Sequence, residues 1–378
     1  MKKEIKLIKF IELRYADPIS SLDLTDNYLL FGTMLGATKL YNINQNKITT
    51  LSEIQDEYIS GVKIKENTLY ICIGDVKILV YDLNKNNDDQ IPEYSEIKNY
   101  REGDLENNIT NNEENNDENN NKKETHENNC ENCLTMLNNN YLIRTFIQFP
   151  ADPKEEAIIQ KTRFSIKNIN NMDEIKGKIE LSNYCVPFDF DGKNFIIIDF
   201  IKENKRNYIV YDVDSELENK FEIEDKFKSE KIGHISHLKI VKDDLLFIVR
   251  NYNICEMRNL NLELKKNLNI KSKEILAFDI MFDNDDNNEE KKENEEEKIE
   301  SSLYIILLDI DCNVFLYNYK DDKCELLFNL ENDELGIDKT IKGQRFFLFG
   351  YPYYIKLTKK YIAISSDYGC ILIQYSSF

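Results

Sequence analysis

Leu40-Tyr41-Asn42-Ile43, Val80-Tyr81-Asp82-Leu83, Val210-Tyr211-Asp212-Val213 and Leu316-Tyr317-Asn318-Tyr319 are renderings of one phrase, each closing a run of alternating apolar residues after a turn of Gly, Asp or Asn. Looser copies at Ile166-Lys167-Asn168-Ile169, Met257-Arg258-Asn259-Leu260 and Ile373-Gln374-Tyr375 extend the series. The marks fall at residues 41, 81, 167, 211, 258, 317 and 374. Recurrence at about 40 to 45 residues points to a supersecondary unit that cannot bury its own faces and must stack on copies of itself. The wide intervals from 81 to 167 and from 258 to 317 each hold a low-complexity tract, so seven units account for the chain.

Within each unit, β-branched and aromatic residues alternate between short polar turns, the pattern of a half-buried strand. The first unit reads as strands over 19–24, 28–33, 38–43 and 47–51, with turns at Thr25-Asp26-Asn27, around Gly36 and at Asn44-Gln45-Asn46. The second begins near Ile59 and the third near Leu134, while the sixth runs from Ile275 to Leu330. The last unit has three strands after Tyr354 and ends at Tyr375, so it lacks a fourth. A spare strand stands ahead of the first unit, carrying Ile5, Leu7, Ile8, Phe10 and Leu13. Pairing residues 5–13 into the last unit would close a ring and remove exposed sheet edges, which template aggregation.

The stretch Ile362-Ala363-Ile364-Ser365-Ser366-Asp367-Tyr368-Gly369-Cys370-Ile371-Leu372-Ile373-Gln374-Tyr375 resembles the second and third strands of a WD40 repeat around an Asp-x-Gly turn. Met34-Leu35-Gly36 occupies the same place in the first unit. Apart from two tracts, nearly the whole chain resembles the WD40-like family. The resemblance implies an all-β, seven-bladed WD40-like β-propeller, closed by the N-terminal strand pairing into the last blade. The chain departs from the family in having no Trp. Tyr or a polar residue stands where the family has its Trp-Asp pair, and only Gly233-His234 matches the family's Gly-His.

A chain of 378 residues suggests two or three domains by length, but a repeat array overrides that prior and residues 1–378 read as one domain. With 41% hydrophobic residues, 20 Phe and 22 Tyr, the sequence can fill a large core. The net charge of -20 is concentrated in residues 102–132, at -8, and 283–301, at -7, leaving about -5 for the rest. Both tracts are Asn, Glu, Asp and Lys with almost nothing apolar, and are expected to be disordered inserts. Phosphate binding needs a clustered basic face, and none is visible, so nucleic acid is not an expected partner.

The eight Cys are scattered without a disulfide framework, and the N-terminal residues interrupt their apolar side chains with charge. A cytoplasmic or other reducing intracellular location, the nucleus included, is expected, with no membrane insertion. His126, Cys130 and Cys133 have zinc-ligand types, but no second pair completes a four-ligand site. Asp283-Asn284-Asp285-Asp286-Asn287 starts like a calcium loop, yet Asn288 and Asn294 replace the Gly and Glu that such a loop needs. His234 and His237 fall short of a metal site and read as turn residues. No phosphate loop, nucleophile elbow or H-E-x-x-H is present. No cofactor, metal or catalytic residue is expected, and no small-molecule ligand.

What remains is loop chemistry. In a WD40-like blade, the turn from strand two to strand three and the connection between blades open on one face. Arg345, Phe347, Phe349, Tyr351 and Tyr353 enter the last unit on the most aromatic stretch of the chain, and Met34, Leu35, Tyr252 and Tyr368 occupy turns where small polar residues are the norm. Aromatic, Met and Arg residues are the types enriched at interface centres. The expected function is a non-catalytic protein–protein interaction scaffold, a subunit of a larger intracellular complex. The competing class is a propeller enzyme or small-ligand binder using carboxylates near the central channel. A deep polar channel with converging carboxylates would mark that class, and an aromatic patch on a flat face would mark the scaffold.

Overall fold

The computed structural model describes residues 5–13, 17–53, 57–74, 77–85, 94–98, 131–138, 141–148, 161–168, 175–181, 185–201, 205–213, 223–229, 234–242, 244–283, 303–331, 354–367 and 369–375. They form seven four-stranded antiparallel sheets. The first holds β2 (Ile19–Leu24), β3 (Tyr28–Thr33), β4 (Ala37–Asn42) and β5 (Lys47–Glu53), in that order. The second holds β6 (Ile59–Lys65), β7 (Thr68–Ile73), β8 (Lys77–Asp82) and β9 (Tyr94–Lys98). The third holds β10 (Glu131–Asn138), β11 (Tyr141–Gln148), β12 (Lys161–Asn168) and β13 (Ile175–Leu181). The fourth holds β14 (Cys185–Phe190), β15 (Asn194–Ile201), β16 (Lys205–Val213) and β17 (Ile223–Ser229). The fifth holds β18 (Ile235–Lys242), β19 (Leu245–Arg250), β20 (Ile254–Asn259) and β21 (Leu264–Asn267). The sixth holds β22 (Ile275–Phe282), β23 (Leu303–Asp309), β24 (Asn313–Asn318) and β25 (Lys323–Asn329).

The seventh sheet joins the two ends of the chain. β26 (Tyr354–Leu357), β27 (Tyr361–Ser366) and β28 (Gly369–Tyr375) are completed by β1 (Ile5–Glu12), which runs antiparallel to β28 with Ile5 opposite Tyr375 and Glu12 opposite Gly369. The spare strand read from the sequence is therefore the outer strand of the last sheet.

The recurring Tyr phrase lies on the third strand of its sheet, and its two residues face opposite ways because strand side chains alternate. Tyr41 packs among Ala363, Cys370 and Leu372 of the seventh sheet, while Leu40 packs among Ile59, Val62 and Ile71 of the second. Tyr317 likewise faces the fifth sheet and Leu316 the seventh. The first and sixth sheets are thus buried on both faces, and their second strands are nearly continuous apolar runs, β23 being buried throughout. Alternation had suggested half-buried strands; neighbours on both sides remove the polar face that alternation would need.

The buried phenol needs a partner, and in the first and sixth sheets the turn that follows supplies one. The Tyr41 hydroxyl donates to Asn46 Oδ1 at 3.0 Å, and the Tyr317 hydroxyl donates to Asp322 Oδ1. Both acceptors sit at positive φ, 51° and 50°, which Asn and Asp tolerate better than most residues. A Lys from the outer strand of the preceding sheet covers each ring: Lys9 of β1 over Tyr41, and Lys266 of β21 over Tyr317. β1 behaves here as the fourth strand of its sheet. At Gly32 a Cβ would lie 2.2 Å from Ile59 Cγ2, so the missing side chain lets the second sheet approach the first.

First strands of successive sheets touch, β2 with β6, β6 with β10, β14 with β18, β22 with β26 and β26 with β2, which places them innermost. Fourth strands are the exposed ones, as in β21 and β25. β10 begins at Glu131, so Glu131 and Asn132 are strand and not insert. Asp283, the first residue of the other tract, pairs with Lys359 at 2.5 Å. The rest of the two tracts, 102–130 and 284–301, lies outside the described residues.

Candidate interaction surface and the inner charged strands

One backbone hydrogen bond recurs from sheet to sheet. Met34 N–H donates to Pro18 O, Gly74 to Tyr58, Asn251 to His234 and Ile310 to Glu274, at 2.9, 2.8, 2.8 and 2.8 Å. Each ties the turn between the second and third strands to the residue entering the first strand, so those turns and the inter-sheet connections share one end of the molecule. Leu35 N–H also donates to Asp17 Oδ1 at 2.9 Å, fixing that turn's backbone while its side chains point outward.

Large apolar side chains are exposed at this end: Met34 at 49%, Leu35 at 62%, Tyr252 at 43%, Ile310 at 41% and Tyr354 at 37%. They belong to the first, fifth, sixth and seventh sheets, a contiguous run because the seventh packs on the first. Asn251 and Tyr252 both have positive φ, 51° and 66°, and the Tyr252 ring lies 4.6 Å from that of His234. A left-handed Tyr costs roughly 1–2 kcal/mol, so this turn holds an aromatic outward against its local preference. Of the residues chosen from sequence, Met34, Leu35 and Tyr252 are on this surface. Arg345, Phe347, Phe349, Tyr351, Tyr353 and Tyr368 lie outside the described residues. Ile310 was missed because it reads as the end of an apolar strand; Asp309, whose Oδ1 accepts from Asp311 and Asn313 N–H, is the turn signal that marks it.

A second recurrence, on the inner strands, was also missed. Leu22-Asp23-Leu24, Val62-Lys63-Ile64, Phe188-Asp189-Phe190, Leu238-Lys239-Ile240, Phe278-Asp279-Ile280 and Ile355-Lys356-Leu357 each set one charge between apolar residues. All six charges occupy one register, opposite Leu30, Tyr70, Ile196, Phe247, Ile306 and Ala363 of the second strands. In the third sheet that register, opposite Ile143, is held by Met136.

Each Asp accepts a backbone hydrogen bond from the next sheet's first strand: Asp23 Oδ2 from Ile64 at 2.7 Å, Asp189 Oδ2 from Ile240 at 2.7 Å, and Asp279 Oδ2 from Leu357 at 3.1 Å. An inner strand is the edge of its sheet, and these carboxylates satisfy N–H groups that the ladder leaves over. Lysines neutralise them: Lys63 reaches Asp23 at 3.3 Å, and Lys239 and Lys356 both reach Asp279 at 3.5 Å.

Burial pushes the Asp279 carboxyl up, but Lys356, Lys239 and two backbone N–H groups outweigh it and hold it below the usual carboxylate range. Asp279 in turn raises the Lys356 ammonium. Burial pushes Asp189 up to about 6, against the opposing pull of Lys239. His237 is lowered by burial, and its Nε2 lies 3.3 Å from Leu276 O. Among the described residues no three His, Cys, Asp or Glu gather as a metal site, and no helix is long and apolar enough to cross a membrane.

No family model matches the chain, and no curated protein matches its sequence. Solved structures do match. The WD40 β-propeller domain of Doa1 superimposes with a TM-score of 0.56 at 8% identity, over 100% of this chain and 98% of that one. The computationally designed protein Ika8 matches with a TM-score of 0.51 at 8% identity, over 98% of this chain and all of that one. Identity this low speaks for fold alone, and that fold, all-β and built of four-stranded antiparallel sheets, is of the WD40 β-propeller kind.

Proposed function

We propose that the chain is a closed seven-bladed propeller acting as a non-catalytic protein–protein interaction scaffold, a subunit of a larger intracellular assembly. The observation that carries this reading is the arc of exposed Met34, Leu35, Tyr252 and Ile310 on hydrogen-bonded turns of the first, fifth and sixth sheets, with exposed Tyr354 at the start of β26 between them. Apolar and aromatic groups held on rigid backbone lose little entropy on docking, and a few such groups supply most of an interface's energy. The inner carboxylates are each bonded to a neighbouring strand's N–H, an arrangement that serves cohesion and leaves little for catalysis. The fold's frequent use as a binding platform adds an argument by analogy.

The test is co-purification from the native source followed by mass spectrometry, comparing the wild type with a Met34→Asp, Leu35→Asp, Tyr252→Asp, Ile310→Asp variant. The reading expects a defined partner set that the variant loses while its melting curve is unchanged. Retention of every partner by the folded variant would move the binding site off this arc. Ring closure has its own check: removing residues 1–12 exposes the β28 edge, and the truncated chain should melt lower and self-associate. An unchanged monomer would contradict closure.

A further inference from the structure

Tyr252 and Ile310 belong to different sheets, yet one piece of backbone holds both of their turns. The connection from the fifth sheet to the sixth passes through Glu274 into Ile275. Ile310 N–H donates to Glu274 O at 2.8 Å, and Ile275 N–H donates to Tyr252 O at 2.7 Å. Two consecutive residues of the connector are therefore clamped between the two turns, with the exposed Glu274 flanked by the turns that expose Tyr252 and Ile310. Lys273 Nζ adds a third tie to Asp311 Oδ2 at 2.6 Å. Every residue of this junction, over 244–283 and 303–331, is among the described ones.

The charge here leans one way. The junction carries exposed Glu274, Asp311 and Glu331 and buried Asp309, against exposed Lys271 and Lys273. Leu330 N–H donates to Cys312 O at 2.9 Å, which sets Glu331 beside the Ile310 turn. Arg250, on the Tyr252 turn, does not redress the balance, because buried Glu256 accepts its Nε–H at 2.8 Å. Asp309 is engaged within its own turn, Oδ1 by Asp311 and Asn313 N–H and Oδ2 by the Asn313 amide at 3.2 Å. The acids act on what lies beneath them: burial pushes the Cys312 thiol up to about 11, and Glu331, Asp309 and Asp311 add to the rise.

We propose that this junction is the anchor of the apolar arc and that it takes a segment of a partner protein in which a Lys or Arg lies between two apolar side chains, the apolar pair meeting Tyr252 and Ile310 and the cation meeting Glu274. The inference rests on the scaffold reading and adds to it the chemistry of the partner. Apolar groups on clamped backbone supply affinity, while the carboxylate between them supplies choice. A partner with an acid at that place brings like charges together as water leaves, which is how an interface rejects the wrong segment. The chain's net charge of -20 favours the approach of a basic partner in the same sense.

Fluorescence anisotropy on the full chain tests this with two short fluorescein-labelled peptides, alike except that a pair of leucines encloses an arginine in one and a glutamate in the other. At low salt the arginine peptide should bind at least about tenfold tighter. Glu274→Lys should reverse that order with an unchanged melting curve, and Tyr252→Asp with Ile310→Asp should weaken the arginine peptide at least about tenfold. Equal affinities in the wild type, an order that Glu274→Lys leaves unchanged, or no binding of the arginine peptide would overturn the inference. Loss of native partners by the arc variant together with equal peptide affinities keeps the scaffold reading and overturns the basic segment. Retention of every partner and of peptide binding by that variant overturns both. Should a variant fail to fold, the wild-type comparison of the two peptides decides by itself.

Discussion

Asp279 and Asp189 hold the same register on the first strands of the sixth and fourth sheets, and both cap an N–H of the sheet that follows. Their surroundings differ in one respect. Asp279 has a lysine on each side, Lys239 before it and Lys356 after it, whereas Asp189 has Lys239 after it and follows the sheet that carries Met136. Burial raises the cost of ionisation for each, and only the doubly flanked carboxylate recovers it. A buried charge in a repeat array is therefore stabilised by both neighbours or not fully at all.

The comparison breaks most visibly if Asp279→Asn is mild. The amide keeps an acceptor for Leu357 N–H but takes the paired carboxylate from two lysines, leaving Lys356, at 28% side-chain exposure, only the attraction of Asp23 and Lys239, at 38%, only that of Asp189. A loss of about 3 kcal/mol is expected in urea unfolding at pH 7, the lower end for a broken buried pair because Lys239 keeps contact with water. Asp189→Asn should go the other way. Its folded-state pKa of about 6 lies above the unfolded value of 3.8, so the folded form binds the extra proton. The wild type should then gain stability as pH falls from 7 towards 4, and ionisation above pH 6 should cost the fold about 3 kcal/mol. Asn removes that cost, so the variant should be the more stable protein at pH 7.5 and lack the slope, as thermal melts across pH 4–8 would record. Asp279 has the opposite sign: held below its usual range, it contributes stability that is lost only as pH falls through its depressed value.

The smallest effect sharpens the same contrast. The tract beginning at Asp283 leaves the strand that bears Asp279, and the tract of 102–130 precedes β10. If the charged register and the apolar faces hold the sheets together, replacing 102–129 or 284–299 with short Gly-Ser linkers should move the melting temperature by only a few degrees, since loop length enters stability logarithmically. Collapse of either variant would give the tract a structural part that its composition does not suggest.

Much of this was legible in advance. The Tyr phrase located the third strands because a buried phenol between two sheets needs an acceptor, which the following turn supplies at Tyr41 and Tyr317 through Asn46 and Asp322. The spare N-terminal strand was legible because one unit lacked a strand that another part of the chain could supply. The charged register was not, because a single Asp or Lys within an apolar strand looks like noise until pairing puts six such residues level with one another. Met34, Leu35 and Tyr252 were found from turn position and residue type, which act locally. Ile310 escaped because its exposure depends on where β23 stops, and the apolar run from Leu303 hides that end.

The most direct test is a carboxyl carbon NMR titration of the aspartates, with Asp189→Asn and Asp279→Asn used to assign the two resonances. The account predicts that Asp189 titrates near 6 while Asp279 stays ionised to well below the ordinary Asp value. Two aspartates titrating together near 4 would contradict it, because the neighbouring sheets would then make no difference to a charge held at the same register.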